Sequence, residues 1–300
     1  MSSCSAANAA SSPNWPPTSF DPAPRGAPMT LAACLPDEDY RFTLRLDRGQ
    51  PGDYFAPTPA GPEVLAERRL CLDTAPARHL ALAPEGVPLL EEFLGLLHGW
   101  PSPPPASPGD GTDPAAAAQH LGRVLEPDWL LLAPDRAGSF RLHAGCVCFP
   151  SSWSLEEKMG LPLESIHGVV PGLNAQAGRP IAGFLQRLAP GIAWQRANWG
   201  LSRSPERNQH PALPRPRLDA TVAPGEIWLR VEHQALVALP RTGGLLFGIR
   251  VTVHPWAEIL ADAPARQGLR RALATMPEPV AIYKGIAPAR ARLLELLGPA

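Results

Sequence analysis

Two stretches of the chain carry the side chains best suited to chemistry. In SWSLEEKMGLPLESIHGVVPGLN (152–174), a helix-like segment runs into His167 and then at once into a Val-Pro-Gly turn. Proline and glycine there impose a sharp, stiff bend, the kind of backbone that can hold an imidazole as a metal ligand. In LRVEHQALVALPRTGGLLFGIR (229–250), two strand-like runs flank a turn, and the first sets Arg230, Glu232 and Gln234 at period two on one face. Burying such a stripe is costly unless something pairs with it. If the face points inward, Arg230 and Glu232 are expected to pair and to polarise a bound ligand. A histidine at a helix end beside a polar stripe on a sheet suits a protein-bound metal cofactor with a polar reaction pocket.

WQRANWG (194–200) supplies a third group, with Arg196 and Asn198 on one strand face, where an arginine could hold a cofactor carboxylate. Arg241 and Thr242 fall in a hairpin turn, and Arg250 and Thr252 alternate on the last strand. Each group also has a plainer reading that the residues leave open. His167 could cap a helix end, the 230–234 stripe could be the solvent face of an edge strand, and Arg196 could be an exposed strand charge.

The elements that must position these groups follow from pattern. Length is 300 residues with a formal charge of −1, which favours neither nucleic acid nor an anionic membrane surface. No apolar run approaches a membrane span, and no secretory signal opens the chain. The 39 prolines gather at 13–36 and 101–114, so residues 1–36 read as a disordered leader and 101–114 as a proline-rich surface loop. Five cysteines without an export signal read as free thiols of a reducing cytoplasm, with Cys146 and Cys148 on one strand face. Motifs for dinucleotide, P-loop, zinc-protease, serine-hydrolase and CxxC chemistry are absent.

Periodicity predicts strands at 40–46, 129–133, 140–149, 192–201, 226–239 and 245–253, and helices at 87–100, 115–124, 154–159, 180–188, 265–276 and 288–297. Ser154 and Glu157 form a capping-box pattern for the third of these. Short links between strands make them antiparallel, so the class is α+β. A five-stranded PAS-like sheet with helices on one face over 37–285, and helical extensions at both ends including a C-terminal helix in 286–300, is the expected architecture.

On CFPSSWSLEEKMGLPLESIHGVVPGLN (148–174), RANW (196–199), LRVEHQALVALPRTGGLLFGIR (229–250) and IYKG (282–285), the sequence resembles the haem-binding alpha subunit of haem-dependent oxidative N-demethylase. The resemblance implies a haem b enzyme that uses dioxygen to oxidise a small secondary amine such as dimethylamine, releasing formaldehyde. It implies electrons from NADPH through a separate subunit carrying FMN and an iron–sulfur cluster, with tetrahydrofolate as a possible acceptor of the carbon. His167, on the family's IHxxVPG motif, is then the proximal iron ligand. Arg230, Glu232 and Gln234, on RxExQ, are the catalytic group; Arg196, Asn198 and Arg250 are assigned with His167 to the cofactor. The chain departs from the family's ERQTLxRLP at His233, Ala235 and Ala238, and His233 should lie on the strand face away from Glu232. A haem-based PAS gas or redox sensor and a non-catalytic scaffold are the rival readings, although no kinase, cyclase or DNA-binding module is visible.

Overall fold

A computed structural model describes residues 30–42, 45–101 and 111–299. Its centre is one antiparallel sheet of seven strands: β1 (Asp47–Gly49), β2 (Leu80–Leu82), β3 (Asp128–Pro134), β4 (Phe140–Cys146), β5 (Ala193–Ser202), β6 (Trp228–Leu239) and β7 (Gly244–Pro255), in the order β1-β5-β6-β7-β3-β4-β2. The expected five strands are the inner ones. The two additional strands are three-residue edges, too short for alternation to announce them.

β6 and β7 pair along their whole length, from Trp228↔Pro255 to Leu239↔Gly244. Their turn is locked from outside. Glu92, on the helix Val87–His98, accepts the Thr242 backbone N–H at 2.8 Å and the Thr242 hydroxyl at 2.6 Å. The β3–β4 hairpin closes on Asp135, whose carboxylate accepts the N–H groups of Ala137 and Ser139.

Helices cover both faces of the sheet rather than one. On the first face, Phe93 packs on Trp129 with ring centroids 6.1 Å apart. Tyr54 and Phe55 press so closely on Gly248 that an added Cβ would meet Tyr54 at 2.6 Å. The same face continues along β6 into a second core, where Leu229 and Val231 meet Trp256, Leu269 and Leu293 of the C-terminal helices. On the opposite face, Leu155 lies beside Gly145 and Leu130, and Phe184 packs edge-on against Trp194 at 5.4 Å. The segment carrying His167 therefore lies over the face that bears Arg230, Glu232 and Gln234.

Most of the expected leader and of the proline-rich loop lies outside the described residues. The end of the leader is ordered: Leu31–Cys34 is a short helix with Cys34 and Leu35 buried in the second core. The helix expected at 154–159 is a turn only, with Glu157 N–H donating to Ser154 Oγ at 3.4 Å and Met159 N–H to the Leu155 carbonyl at 3.1 Å. Gly160, at φ 74°, ends it before a second turn can form. Of the strand expected at 40–46, residues 43–44 lie outside the described residues and the others are not in a strand, regular pairing beginning at Asp47.

Candidate functional site

His167 sits near the end of the helix Leu163–Gly168. The Val170 N–H donates to the His167 carbonyl at 3.0 Å, Gly172 takes φ 77°, and Asn174 Nδ2 donates back to the Glu164 carbonyl at 2.8 Å. That clamp fixes the backbone beneath the imidazole. The ring itself has no hydrogen-bond partner among the described residues. Burial, reinforced by the facing Arg196 guanidinium, pushes its pKa down to about 4, so at neutral pH it presents an uncharged nitrogen lone pair.

Across from it, β5 and β6 bring the polar groups together in register: Arg196 opposite Gln234, and Asn198 opposite Glu232. Glu232 Oε2 accepts Asn198 Nδ2 at 3.2 Å and Gln234 Nε2 at 2.9 Å. Both amides converge on one carboxylate oxygen, and Oε1 is left without a hydrogen-bond donor among the described residues. Arg196 forms no ion pair among the described residues; burial lowers its pKa, against the opposing pull of Glu232 and Tyr40. Two residues along the same face, Trp194 keeps its indole Nε1 buried and unpartnered.

Arg230 belongs to this face, yet it does not pair with Glu232 as expected. Its guanidinium donates to the Glu206 carbonyl at 3.1 Å, the Phe149 carbonyl at 3.5 Å and Ser151 Oγ at 3.4 Å. Its donors go instead to the loop carbonyls and hydroxyl packed against it, while Glu232 is turned toward Asn198 and Gln234. Arg230 thus ties two loops to the sheet. Arg250 is on the other face, opposite His233 in the β6–β7 register. It is engaged there by Glu126 and by the Tyr54 and Ala56 carbonyls at 2.8 and 3.1 Å, so it does not reach the His167 side. His233 faces away from the cluster as expected, its Nε2 lying 3.1 Å from Thr252 Oγ1.

One residue absent from the expected set joins it. Lys284 Nζ donates to the Trp199 carbonyl at 2.6 Å and to Asn198 Oδ1 at 3.5 Å. A lysine has no acceptor, so this contact turns the Asn198 amide with its NH₂ toward Glu232. IYKG marked the place in the sequence, but nothing local said that its lysine would reach Asn198.

The surroundings are apolar and incompletely covered. Residues 194–200 of β5 are all half-buried, and between 163 and 188 only Ala177 and Leu185 are fully buried. Ile166, Ile181 and Phe184 are half-exposed, and Val169 is 53% exposed. A cavity of about 640 Å³ lies elsewhere, lined by Phe149, Arg207, Arg215 and Trp228 among others. Arg207 is matched there by Glu63 and Glu67 and Arg215 by Glu206, whereas Arg78 forms no ion pair among the described residues.

Among the described residues no group of three or more His, Cys, Asp or Glu side chains could hold a bare metal ion. A single neutral imidazole suits an iron that brings its other ligands in a macrocycle. The unpaired Arg196 and the orphaned Trp194 N–H suit carboxylates on the rim of such a plate, and the half-covered apolar residues suit its faces. The residues therefore fit a haem. Fold and site together define an α+β protein that sets a lone neutral histidine, an unpaired arginine and a half-satisfied carboxylate beside one half-covered face of its sheet. Residues 90–294 match the family described as haem-dependent oxidative N-demethylase, alpha subunit-like, and the chain belongs to that family. The matched span includes His167, Arg196, Asn198, Arg230, Glu232, Gln234, Arg250 and Lys284.

Proposed function

We propose that this chain is the haem-binding subunit of a monooxygenase that removes an N-methyl group from a small secondary amine, dimethylamine or a near relative. The observation that carries the reading is the neutral, unpartnered His167 facing Arg196 near the half-satisfied Glu232, among half-exposed apolar side chains. His167 would hold the iron, and Arg196 with Trp194 Nε1 would take the porphyrin carboxylates. When bound, haem supplies dioxygen activation and the oxidation of the methyl carbon. Each N-methyl removed consumes one dioxygen, two electrons and two protons, and gives formaldehyde, water and the demethylated amine.

The chain's own part is orientation and proton handling. Asn198 and Gln234 fix Glu232 through Oε2, so Oε1 is free to accept an amine N–H and to hold a proton taken from it. Arg230 acts as a positioning residue, keeping the loops at 149–151 and 206 against the site. The apolar residues 166–184 exclude water from the methyl group.

The family description names an alpha subunit, which supports a multi-subunit enzyme. In this reading NADPH, FMN and an iron–sulfur cluster belong to a partner reductase, and tetrahydrofolate is a candidate acceptor of the carbon. The inner five strands are the PAS-like sheet, and the cytoplasm is the compartment. No described helix is long and apolar enough to cross a membrane.

An anaerobic absorption spectrum of the haem-loaded protein, oxidised and reduced, tests the reading. Added dimethylamine should produce a saturable shift. Glu232→Gln should weaken the amine's apparent affinity by about 2–4 kcal/mol, the scale for losing one member of a buried polar contact. A spectrum indifferent to every small amine contradicts the demethylase and favours a gas or redox sensor.

A further inference from the structure

Of the chain's 27 basic residues only two are lysines, Lys158 and Lys284. One of these two stands at the candidate site, on the helix C-terminus at Lys284, where Gly285 turns the chain away at φ 67°. It lies against the outer edge of β5, which β1 pairs only at Ala193–Gln195. Its Nζ spans the Trp199 carbonyl and Asn198 Oδ1, above the Trp199 ring at 5.2 Å from the centroid. No carboxylate lies within ion-pair distance of it among the described residues, and Glu232 is reached only through Asn198. Any of the other 25 positions shows that this chain uses arginine for a permanent positive charge. Arginine stays protonated and is no nucleophile, whereas a desolvated lysine can lose its proton and react.

We infer that Lys284 is a carbonyl-capturing amine, a site that takes up the formaldehyde released beside it. The inference rests on the N-demethylase reading for the source of the aldehyde, though not for the reactivity of the amine. Burial pushes the Lys284 pKa down to about 8, against the pull of Glu232 on β6 and with the push of Arg196 on β5. Tyr283, on the same helix, and Tyr40, packed edge-on against Trp199 at 6.3 Å, are the other titratable groups nearby. A fall of that size raises the neutral-amine fraction at pH 7 on the order of 100-fold.

The chemistry balances without an oxidant. The neutral amine adds to the carbonyl carbon, forming a C–N bond while the nitrogen proton passes to oxygen, and gives Lys–NH–CH₂OH. Protonation of that hydroxyl and loss of water give the methylene iminium. Water reverses both steps, and an acceptor amine can take the methylene instead, so the carbon is held near its source rather than lost to other nucleophiles. The open space where Gly200 would carry a Cβ, and the half-buried surface of residues 194–200, leave a small aldehyde a path to Nζ.

The scarcity of lysine makes the test direct. The whole protein, without any substitution, is treated with limiting ¹³C-formaldehyde and cyanoborohydride at pH 7, which converts the iminium to N-methyl-lysine, and is mapped by peptide mass spectrometry. Label at Lys284 roughly tenfold faster than at Lys158, scaled down from the neutral-fraction ratio, is the expected result. Its rate should level off above about pH 8. Equal rates at the two lysines, or a rate still climbing to pH 10, would overturn the assignment.

A second arm uses the haem-loaded protein turning over ¹³C-methylated dimethylamine under dioxygen, with a photoreduced flavin supplying the two electrons, cyanoborohydride present and released formaldehyde measured in the same vial. Released formaldehyde with label at Lys284 supports capture, and released formaldehyde without label overturns it. Absence of formaldehyde contradicts the demethylase reading instead, and the added-formaldehyde arm then decides the reactivity of Lys284 by itself.

Discussion

Along β6 the side chains of Arg230, Glu232 and Gln234 meet one environment and those of Val231, His233 and Ala235 another. Glu232 is a carboxylate surrounded by donors that hold one of its oxygens, and that asymmetry gives it an open oxygen for substrate. His233, one position on, is engaged by Thr252 and has its pKa pushed down to about 4, chiefly by burial and then by His254 and Arg250. The sign of its effect on stability follows. In the unfolded chain the imidazole takes a proton near its ordinary value of 6.5, while the folded protein resists until about pH 4. Stability is therefore unaffected by His233 above pH 6.5 and falls as pH drops from there toward 4. Urea denaturation of wild type and His233→Gln at pH 7 and pH 4.5 should show the variant losing less, with a difference on the order of 1–2 kcal/mol. Parallel losses would show that His233 protonates freely in the folded state.

At the scale of elements, the close approach of Leu31–Leu35 to the helix Ala263–Thr275 makes the N-terminal segment part of the fold. A Cβ on Gly268 would meet the Leu35 carbonyl oxygen at 1.8 Å, a backbone atom that cannot rotate aside. Gly268→Ala should cost about 2 kcal/mol or more, the scale of overpacking. Limited proteolysis should then cut near residue 36 first, and unchanged stability and cleavage would contradict the docking. The long strands and the helix at 87–98 were legible because their apolar periods are regular and their ends are marked by turn residues. The helix Gly61–Thr74 was not, because its inward side carries Arg68, fully buried and bound to Asp128 at 2.5 Å, where an apolar residue would have signalled a core face. Alternation located the polar stripes on β6 and β7 but could not say which face of β7 looked toward His167. Arg250 was therefore assigned to the cofactor and lies on the other side. Lys284 was illegible as a site residue because its partners are 85 and 86 positions away.

Taken as a whole molecule, the sheet divides the chain into a well-filled side and a half-filled one. Two cores close the face of Trp129, Leu131 and Val231, whereas the 163–188 cover leaves apolar side chains half-exposed over Arg196 and Glu232. A flat apolar ligand that completes this cover would stabilise the folded state in proportion to its affinity. The most direct test is a haemin titration of the protein followed by absorption, comparing wild type with His167→Gly, with and without added imidazole. Wild type should take up one equivalent of haem with a histidine-ligated spectrum, His167→Gly should lose that spectrum, and imidazole entering the vacated space should restore it. A His167→Gly protein that binds haem with the wild-type spectrum in the absence of imidazole would contradict His167 as the iron ligand.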